Sequence, residues 1–235
     1  MSTFVLVHGA WHGSWCWKRV RRALQARGHE VFTPTLTGLA DRVHQLSRQV
    51  DLETHIADVT NLIRWEELAD VVLCGHSYAG AVISGVADRV SDRIGALVYL
   101  DAFVLENGQS LYDTLPVERK DSLIEAVRQV GEGWKVPPIP AEVFNVNAKD
   151  RDWANRQLTM QPLATFQQPI HLTGAINRIE NVTYILANGW APSLFPRFYE
   201  QAKAKGWKTL TISSGHDVML DQPEELTKEL LALSS

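Results

Sequence analysis

A serine at the tip of a tight turn is the residue of this sequence best placed to act as a nucleophile. A short apolar run, residues 71–74, is typical of a buried parallel strand and leads through Gly75 to Ser77. Ala79 and Gly80 follow, and apolar residues then recur at helical spacing: Val82, Ile83, Val86 and Val90. A serine between such a strand and helix is sharply turned, and the first N–H groups of the helix point towards it. The pattern predicts a nucleophile elbow, with an ordinary glycine-rich turn as the alternative.

A histidine near the end of the chain is the best candidate for the base that this serine needs. Residues 208–212 alternate apolar and polar side chains as a strand does, and a polar loop containing His216 follows. After the loop, Asp221, Pro223 and Glu224 predict a helix start with Asp221 as the N-cap. A loop histidine alone is more often a surface residue, but beside a nucleophile it can accept a proton.

Three segments of the chain resemble those of a known enzyme family. They are FVLVHGAWHGSW at residues 4–15, GHSYAG at 75–80 and GHDVML at 215–220. In order and spacing they are similar to the α/β-hydrolases, and most similar to the branch of plant methylesterases, salicylate-binding esterases, hydroxynitrile lyases and bacterial esterases. The resemblance implies an α/β-hydrolase fold, with a mostly parallel sheet, helices on both faces and a helical cap inserted after the sixth strand. It also implies a base in the loop after the last strand, where His216 lies.

The resemblance further implies two backbone donors for an oxyanion. One is the N–H of the residue after the nucleophile, here Tyr78, and the other comes from the loop after an early strand, here Ala10. Losing one such donor typically costs about 3 to 4 kcal/mol of barrier stabilisation. His8 and His12 lie in the same loop, but no carboxylate or cysteine at ligand spacing accompanies them. We therefore predict neither a metal nor a cofactor.

The acid that should orient the histidine departs from the commoner pattern of the branch. Most members carry an aspartate in the loop after the penultimate strand, but that loop, here residues 187–192, contains no carboxylate. Asp101 ends the strand after the elbow helix, and some superfamily members resemble this chain in taking the acid from that strand. We predict a carboxylate oxygen of Asp101 about 2.6 to 3.2 Å from Nδ1 of His216. Glu106 is the reserve, Asp217 adjoins the histidine too closely, and a serine–histidine dyad is the third alternative.

The composition is that of a globular enzyme. The 235 residues are 45% apolar and 21% charged, enough for one large α/β domain. The formal charge of −4, without a basic run, argues against a nucleic-acid partner. The N-terminal apolar run belongs to the first strand, so we predict no signal peptide and no membrane association. Cys74 lies inside the elbow strand and is predicted to be a buried free thiol, which indicates the cytoplasm. A monomer or homodimer is expected.

The middle third of the chain interrupts the alternation of strands and helices. Residues 1–104 and 181–235 are predicted to form the hydrolase core, and residues 105–180 a cap over the nucleophile. We expect substrate contacts from side chains of the early loop and of the cap: Trp11, His12, Trp134, Trp153, Met160 and Phe166. Packing within the cap would explain the last four equally well.

These residues favour hydrolysis of a small carboxylic ester through an acyl-enzyme. Cleavage of a carbamate or amide by the same groups is the nearest alternative. The lyases of this branch carry a threonine after the first-strand histidine and a lysine after the catalytic histidine, positions that hold Gly9 and Asp217 here. A lyase is therefore disfavoured. A non-catalytic binding protein is the remaining alternative, against which the complete set of three groups argues.

Overall fold

The computed structural model describes residues 1–233. Its main feature is a six-stranded sheet in which every pair of neighbouring strands is parallel. The order across the sheet is β2-β1-β3-β4-β7-β8. In chain order the strands are β1 Thr3–Val7, β2 Glu30–Phe32, β3 Val71–His76, β4 Ile94–Leu100, β5 Lys135–Val136, β6 Gln161–Pro162, β7 Val182–Ala187 and β8 Lys208–Ile212. The short strands β5 and β6 form a separate antiparallel pair.

Nine α-helices accompany the strands within residues 1–233. They are α1 Lys18–Gln25, α2 Leu52–Trp65, α3 Ala79–Arg89, α4 Val117–Gln129, α5 Ala148–Gln157, α6 Ala164–Gln167, α7 Pro196–Ala204, α8 Val218–Asp221 and α9 Pro223–Leu231. Short 3₁₀ turns lie at Ser14–Trp17, Ala40–Gln45, Ser91–Arg93, Tyr112–Thr114 and Ala175–Arg178. None of the helices in this part of the chain is long and apolar enough to cross a membrane.

Side chains of the strands alternate between two apolar cores, one on each face of the sheet. In β1, Val5 and Val7 belong to the core that also contains side chains of α2, α3 and α7, whereas Phe4 and Leu6 belong to the core that contains side chains of α1, α8 and α9. This period-two alternation is what a strand covered on both faces requires. The fold class, a parallel sheet between two layers of helices, is confirmed.

The last helix begins with Pro223 in its first turn, as predicted, but its predicted N-cap is wrong. Asp221 ends α8 rather than capping α9, and its Oδ1 accepts hydrogen bonds from N and Nδ2 of Asn147 at 2.9 and 2.6 Å. Helix α9 begins at Pro223 without a side-chain cap. The aspartate instead ties the end of the chain to the segment between β4 and β7.

That segment interrupts the main sheet between β4 and β7. It therefore follows the fourth strand of the chain and not the sixth, because the main sheet has six strands and only two of them, β7 and β8, come after the segment. It contains α4, α5, α6 and the β5–β6 pair. The chain runs from β1 outward to β2 and then back across to β3, so the loops after β1 and β3 diverge. Ligands bind at such a switch point in open parallel sheets, beyond the carboxyl ends of the strands.

Candidate active site

Ser77 lies directly after β3 and before α3, half-buried, with a φ of 56°. A non-glycine residue rarely adopts this left-handed conformation, so the turn is held by its surroundings. The N–H of Ser77 donates to the carbonyl of Leu100, and its own carbonyl accepts from the N–H of Phe103. A Cβ at Gly9 would lie 3.0 Å from Cβ of Ser77, so the loop after β1 approaches the serine closely. These contacts fix the serine at the predicted elbow geometry.

The close approach of α3 to the sheet falls at Gly75 and Gly80. A Cβ at Gly75 would lie 2.7 Å from the carbonyl oxygen of Ala79, and one at Gly80 would overlap the carbonyl oxygen of Phe103. Ala79, which stands where the usual motif has its last glycine, is fully buried and accommodates its methyl group. In this chain the residue of α3 that must be glycine is therefore Gly80, one position after the last glycine of the usual motif.

His216 and Asp101 lie side by side at the carboxyl edge of the sheet. Nδ1 of His216 is 2.7 Å from Oδ2 of Asp101, within the range expected for this pair. The N–H of His216 donates to the carbonyl of Phe144 at 2.9 Å. The rings of Phe144, Trp190 and Phe195 surround the imidazole, with centroids 5.0, 5.0 and 4.9 Å away. The imidazole is thus fixed on several sides.

The loop that lacks a carboxylate supplies hydrogen-bond donors to Asp101 instead. The N–H of Ala187 donates to Oδ1 at 3.2 Å, and the indole Nε1–H of Trp190 donates to Oδ2 at 3.1 Å. Burial raises the pKa of Asp101, while the hydrogen bonds from His216, Ala187 and Trp190 act in the opposite direction. Sequence reasoning missed Trp190, although a tryptophan in this loop was a visible signal of a donor.

Ala10 and Tyr78, the residues predicted to donate to an oxyanion, both line the cavity above Ser77. Among the hydrogen bonds within residues 1–233, none has the N–H of Ala10 or Tyr78 as its donor. The phenol oxygen of Tyr78 is 2.9 Å from Nδ1 of His55. The next residue of the β1 loop, Trp11, donates its N–H to Oε1 of Gln161 at 2.9 Å. Both donor loops are therefore held by contacts beyond the cavity.

The cavity has a volume of about 440 Å³, which lies in the usual range for a small-molecule site. Ser77 and His216 open onto it beneath a largely apolar wall. Its aromatic members are Trp11, Tyr78, Phe103, Phe144, Phe166, Trp190 and Phe195. Arg119 and Ser122 of α4 are polar lining residues, and the guanidinium of Arg119 donates to the carbonyl of Pro192 at 3.2 Å. The cavity suits a ligand with few polar groups.

Two of the six predicted substrate contacts line this cavity, Trp11 and Phe166. His12, Trp134, Trp153 and Met160 are not among its lining residues, and a contact of these side chains with substrate stays a prediction. The composition of the cap could not separate side chains that face the nucleophile from those that pack elsewhere. Conversely, Phe103 and Phe195, which line the cavity, belong to the core segments and were not predicted.

The side chains that miss the cavity have other partners. Trp153 packs edge-on against Trp15, with ring centroids 5.1 Å apart, and Trp134 lies 5.2 Å beneath the guanidinium of Arg48. The reserve acid, Glu106, is exposed and accepts hydrogen bonds from Gln201 and Lys205. It is not the residue beside His216.

The two histidines of the β1 loop are engaged with the protein. Nε2 of His8 accepts from the N–H of Leu36 at 3.0 Å, and burial lowers the pKa of His8 to about 3, so its ring is neutral. His12 contacts Asp217. Residues 1–233 contain no cluster of three or more His, Cys, Asp or Glu side chains placed to hold a metal.

Comparisons with known proteins show the family of the chain. A family model described as the alpha/beta hydrolase family matches residues 4–229. A carbendazim hydrolyzing esterase from Nocardioides sp. (strain SG-4G) is 48% identical, and the alignment covers 99% of this chain and 100% of that protein. A pheophorbidase from Raphanus sativus is 29% identical over 57% of this chain and 52% of that protein.

Solved structures share the fold at lower sequence identity. An extracellular alpha/beta-hydrolase from a Paenibacillus species, described as homologous to tobacco salicylic acid binding protein 2, superposes with a TM-score of 0.85. It is 23% identical, and the match covers 100% of this chain and 99% of that one. Polyneuridine aldehyde esterase matches with a TM-score of 0.79 and 21% identity over the full length of both chains.

Proposed function

This chain belongs to the alpha/beta hydrolase family and is a carboxylic ester hydrolase, and we propose that Ser77, His216 and Asp101 perform its reaction through an acyl-enzyme. The observation that carries the proposal most directly is the convergence of these groups. Ser77 and His216 line one apolar cavity, and Oδ2 of Asp101 lies 2.7 Å from Nδ1 of His216. A nucleophile, a base and an orienting acid are the groups that acyl transfer requires.

In the first half of the proposed reaction, Ser77 Oγ attacks the ester carbonyl carbon while His216 Nε2 takes the hydroxyl proton. The carbonyl oxygen becomes an alkoxide, which the N–H groups of Ala10 and Tyr78 stabilise. The imidazolium then donates its Nε2 proton to the leaving alcohol as the C–O bond breaks. An acyl-serine and a free alcohol result.

In the second half, His216 removes a proton from water, and the hydroxyl oxygen adds to the acyl carbon. Collapse of the second tetrahedral intermediate returns the proton from His216 to Ser77 Oγ and releases a carboxylic acid. Asp101 accepts Nδ1–H throughout, which holds Nε2 towards Ser77 and stabilises the imidazolium. The charge of Asp101 is buried, so its effect on the ring is weakly screened by solvent.

The cavity supports a small, largely apolar ester as substrate, because aromatic and aliphatic side chains form most of its wall. A carbamate is the second candidate. It is favoured by the 48% identical relative that hydrolyses carbendazim, itself a methyl carbamate. Cyanohydrin cleavage is disfavoured, because Asp217 places a carboxylate rather than a cation beside His216.

Residues 105–180 supply much of the cavity wall, including α4 and Phe166, and we assign them the role of a cap over a core formed by residues 1–104 and 181–233. The last two residues of the predicted core, 234 and 235, lie outside the described residues. A cytoplasmic location and a monomeric or dimeric state stay predictions.

A substrate panel tests the proposal. Aryl and alkyl esters of graded acyl length and methyl carbamates should be offered to the wild type and to Ser77→Ala. We expect turnover of uncharged esters that the Ser77→Ala variant loses, and the ratio of carbamate to ester rates separates the two candidates. Binding of these compounds without any turnover would instead indicate a non-catalytic binding protein.

A further inference from the structure

A buried ion pair lies behind the proposed catalytic groups, and the reaction described above makes no use of it. We propose that His12 and Asp217 are positioning residues that join the loop bearing the base to the loop bearing an oxyanion donor, a role that rests on the proposed function. Asp217 directly follows His216, and His12 lies two residues after Ala10. The pair therefore connects two loops that belong to opposite ends of the chain.

The hydrogen bonds of His12 define its charge. Nδ1 is 2.7 Å from the carbonyl oxygen of Ala10, and Nε2 is 3.2 Å from Oδ2 of Asp217. A carbonyl oxygen and a carboxylate oxygen only accept hydrogen bonds, so both ring nitrogens of His12 must donate. A histidine that donates from both nitrogens is an imidazolium. His12 is thus a cation, with a side chain only 4% exposed, and its counter-ion is 1% exposed.

Electrostatics supports these charges. Burial alone would lower the pKa of His12, but the charge of Asp217 raises it above the ordinary histidine value. Burial alone would raise the pKa of Asp217, but the charge of His12 and its hydrogen bond lower it below the ordinary aspartate value. Each group keeps the other ionised, as a paired buried charge must.

His76 connects the pair to the nucleophile. Its Nε2–H donates to the backbone carbonyl of His216 at 3.0 Å and lies 3.8 Å from Oδ1 of Asp217. Its Nδ1 has no partner among the described residues. Burial and the neighbouring His216 lower the pKa of His76, so the ring is neutral. Because His76 precedes Ser77, contacts around this pair reach the nucleophile, the base and the oxyanion donor.

Few other charges face the pair. Trp15 stacks on the ring of His12 with centroids 5.1 Å apart. His8, Cys16 and the base His216 are the other buried titratable groups whose electrostatic interactions reach the pair. Burial lowers the pKa of His8 and raises that of Cys16, so these two are neutral. Asp221 of α8 also interacts with Asp217, and burial raises its pKa. Among residues 1–233, His12 is the only group that hydrogen-bonds the carboxylate of Asp217.

Kinetics of Asp217→Asn tests the positioning role, with Asp221→Asn as the matched control. Asp221 is a neighbouring carboxylate that also accepts two hydrogen bonds, but they come from Asn147 and not from His12. We expect kcat of Asp217→Asn to fall on the order of 100-fold with KM changed less than about threefold, because small displacements of reacting groups are costly while the cavity wall is untouched. The control should keep kcat within about threefold of the wild type.

A spectroscopic measurement tests the same inference without turnover. Two-bond ¹H–¹⁵N correlations of the histidine rings should show both nitrogens of His12 still protonated at a pH just above the ordinary histidine pKa of about 6.5. In Asp217→Asn the His12 ring should be neutral at that pH. A neutral His12 ring in the wild type overturns the inference even where the variant fails to fold, and so does a wild-type kcat in Asp217→Asn.

The two proposals fail in different ways. If wild-type turnover does not depend on Ser77, the proposed function is wrong whatever the state of His12. If turnover depends on Ser77 but Asp217→Asn behaves like Asp221→Asn, only the positioning role is wrong.

Discussion

Asp101 shows how a carboxylate can reach the same histidine from a different strand. β4 and β7 are adjacent in the sheet, with Leu100 paired to Ile185. Their ends lie one strand spacing apart, about 4.8 Å. Asp101 follows β4 on a turned backbone with a φ of 42°, and its side chain meets the loop after β7. The loop after β7, which carries no carboxylate, donates hydrogen bonds to Asp101 from the N–H of Ala187 and from the indole of Trp190. The acid thus follows β4, and its hydrogen-bond donors come from the loop after β7.

Replacing Asp101 by asparagine tests whether this side chain orients the ring of His216. Asp101→Asn should lower kcat roughly 10⁴-fold without unfolding the protein, because the amide favours the imidazole tautomer with the proton on the wrong nitrogen. Glu106→Gln is the matched control, since Glu106 is a nearby carboxylate that contacts Gln201 and Lys205. Steady-state kinetics on a good ester decides the question. A near-normal rate for Asp101→Asn, or a large loss for the control, would count against Asp101.

The hydrogen bond from the indole of Trp190 should lower the pKa of Asp101. Trp190→Phe keeps a ring against His216 but removes the hydrogen bond to Asp101 Oδ2. We expect kcat to fall about 10-fold, since a hydrogen bond to a charged group is worth roughly 1.5 to 3 kcal/mol and Ala187 N–H remains. Because that bond lowers the pKa of Asp101, its loss should also move the acid limb of the pH–rate profile to higher pH. Trp153→Phe is the control, because Trp153 does not line the cavity. An unshifted pH–rate profile in Trp190→Phe would show that Trp190 does not act on Asp101.

At the level of elements, the strand–turn–helix around Ser77 depends on where α3 approaches the sheet. Gly80→Ala should lower the free energy of unfolding by about 1 to 3 kcal/mol, because the added methyl group meets the rigid backbone at Phe103. Ala79→Gly, which restores the usual motif, should cost only about 0.5 to 1 kcal/mol through backbone entropy. Urea unfolding of both variants gives the comparison. Equal stability of Gly80→Ala and the wild type would show that α3 does not approach the backbone of Phe103 closely at this position.

The order of elements made much of this site predictable. A buried strand before Ser77, a strand end at Asp101 and a last strand before His216 put all three at one edge of a parallel sheet. The contacts of the cap were not predictable, because an apolar side chain on a short helix has the same pattern whichever neighbour it faces. Trp153 and Phe166 illustrate this, since only the second lines the cavity. The partner of His12 was equally hidden, because Asp217 lies 205 residues along the chain.

Across the whole molecule, the site is held together by contacts between the first and last segments of the chain. β1 and the loop after it supply Ala10 and His12, and the loop after β8 supplies His216 and Asp217. Unfolding separates these segments, so the buried pair couples the stability of the whole fold to pH.

The sign of that coupling follows from the two pKa shifts. The pKa of His12 is raised, so its stabilisation is complete below about pH 6.5 and is lost as pH rises through the raised value. The pKa of Asp217 is lowered, so its stabilisation is complete above about pH 3.9 and is lost as pH falls through the lowered value. The pair should stabilise the fold most between about pH 4 and 6.5.

Denaturant unfolding across pH measures this. Asp217→Asn should be less stable than the wild type by roughly 3 to 5 kcal/mol near pH 6, the usual cost of breaking a buried pair. The difference should shrink above the raised pKa of His12, where the wild type has itself lost the cation. Asp221→Asn should show no such alkaline change. A difference between Asp217→Asn and the wild type that is constant with pH would contradict an ionised pair.

The identity of the nucleophile is the central claim, and covalent labelling tests it most directly. A fluorophosphonate should react with the wild type in a one-to-one ratio, and peptide mass spectrometry should place the adduct on Ser77, with loss of ester turnover in step with labelling. Ser77→Ala should remain folded, take up no label and retain only residual turnover. An adduct on another residue, or full turnover in Ser77→Ala, would contradict the account.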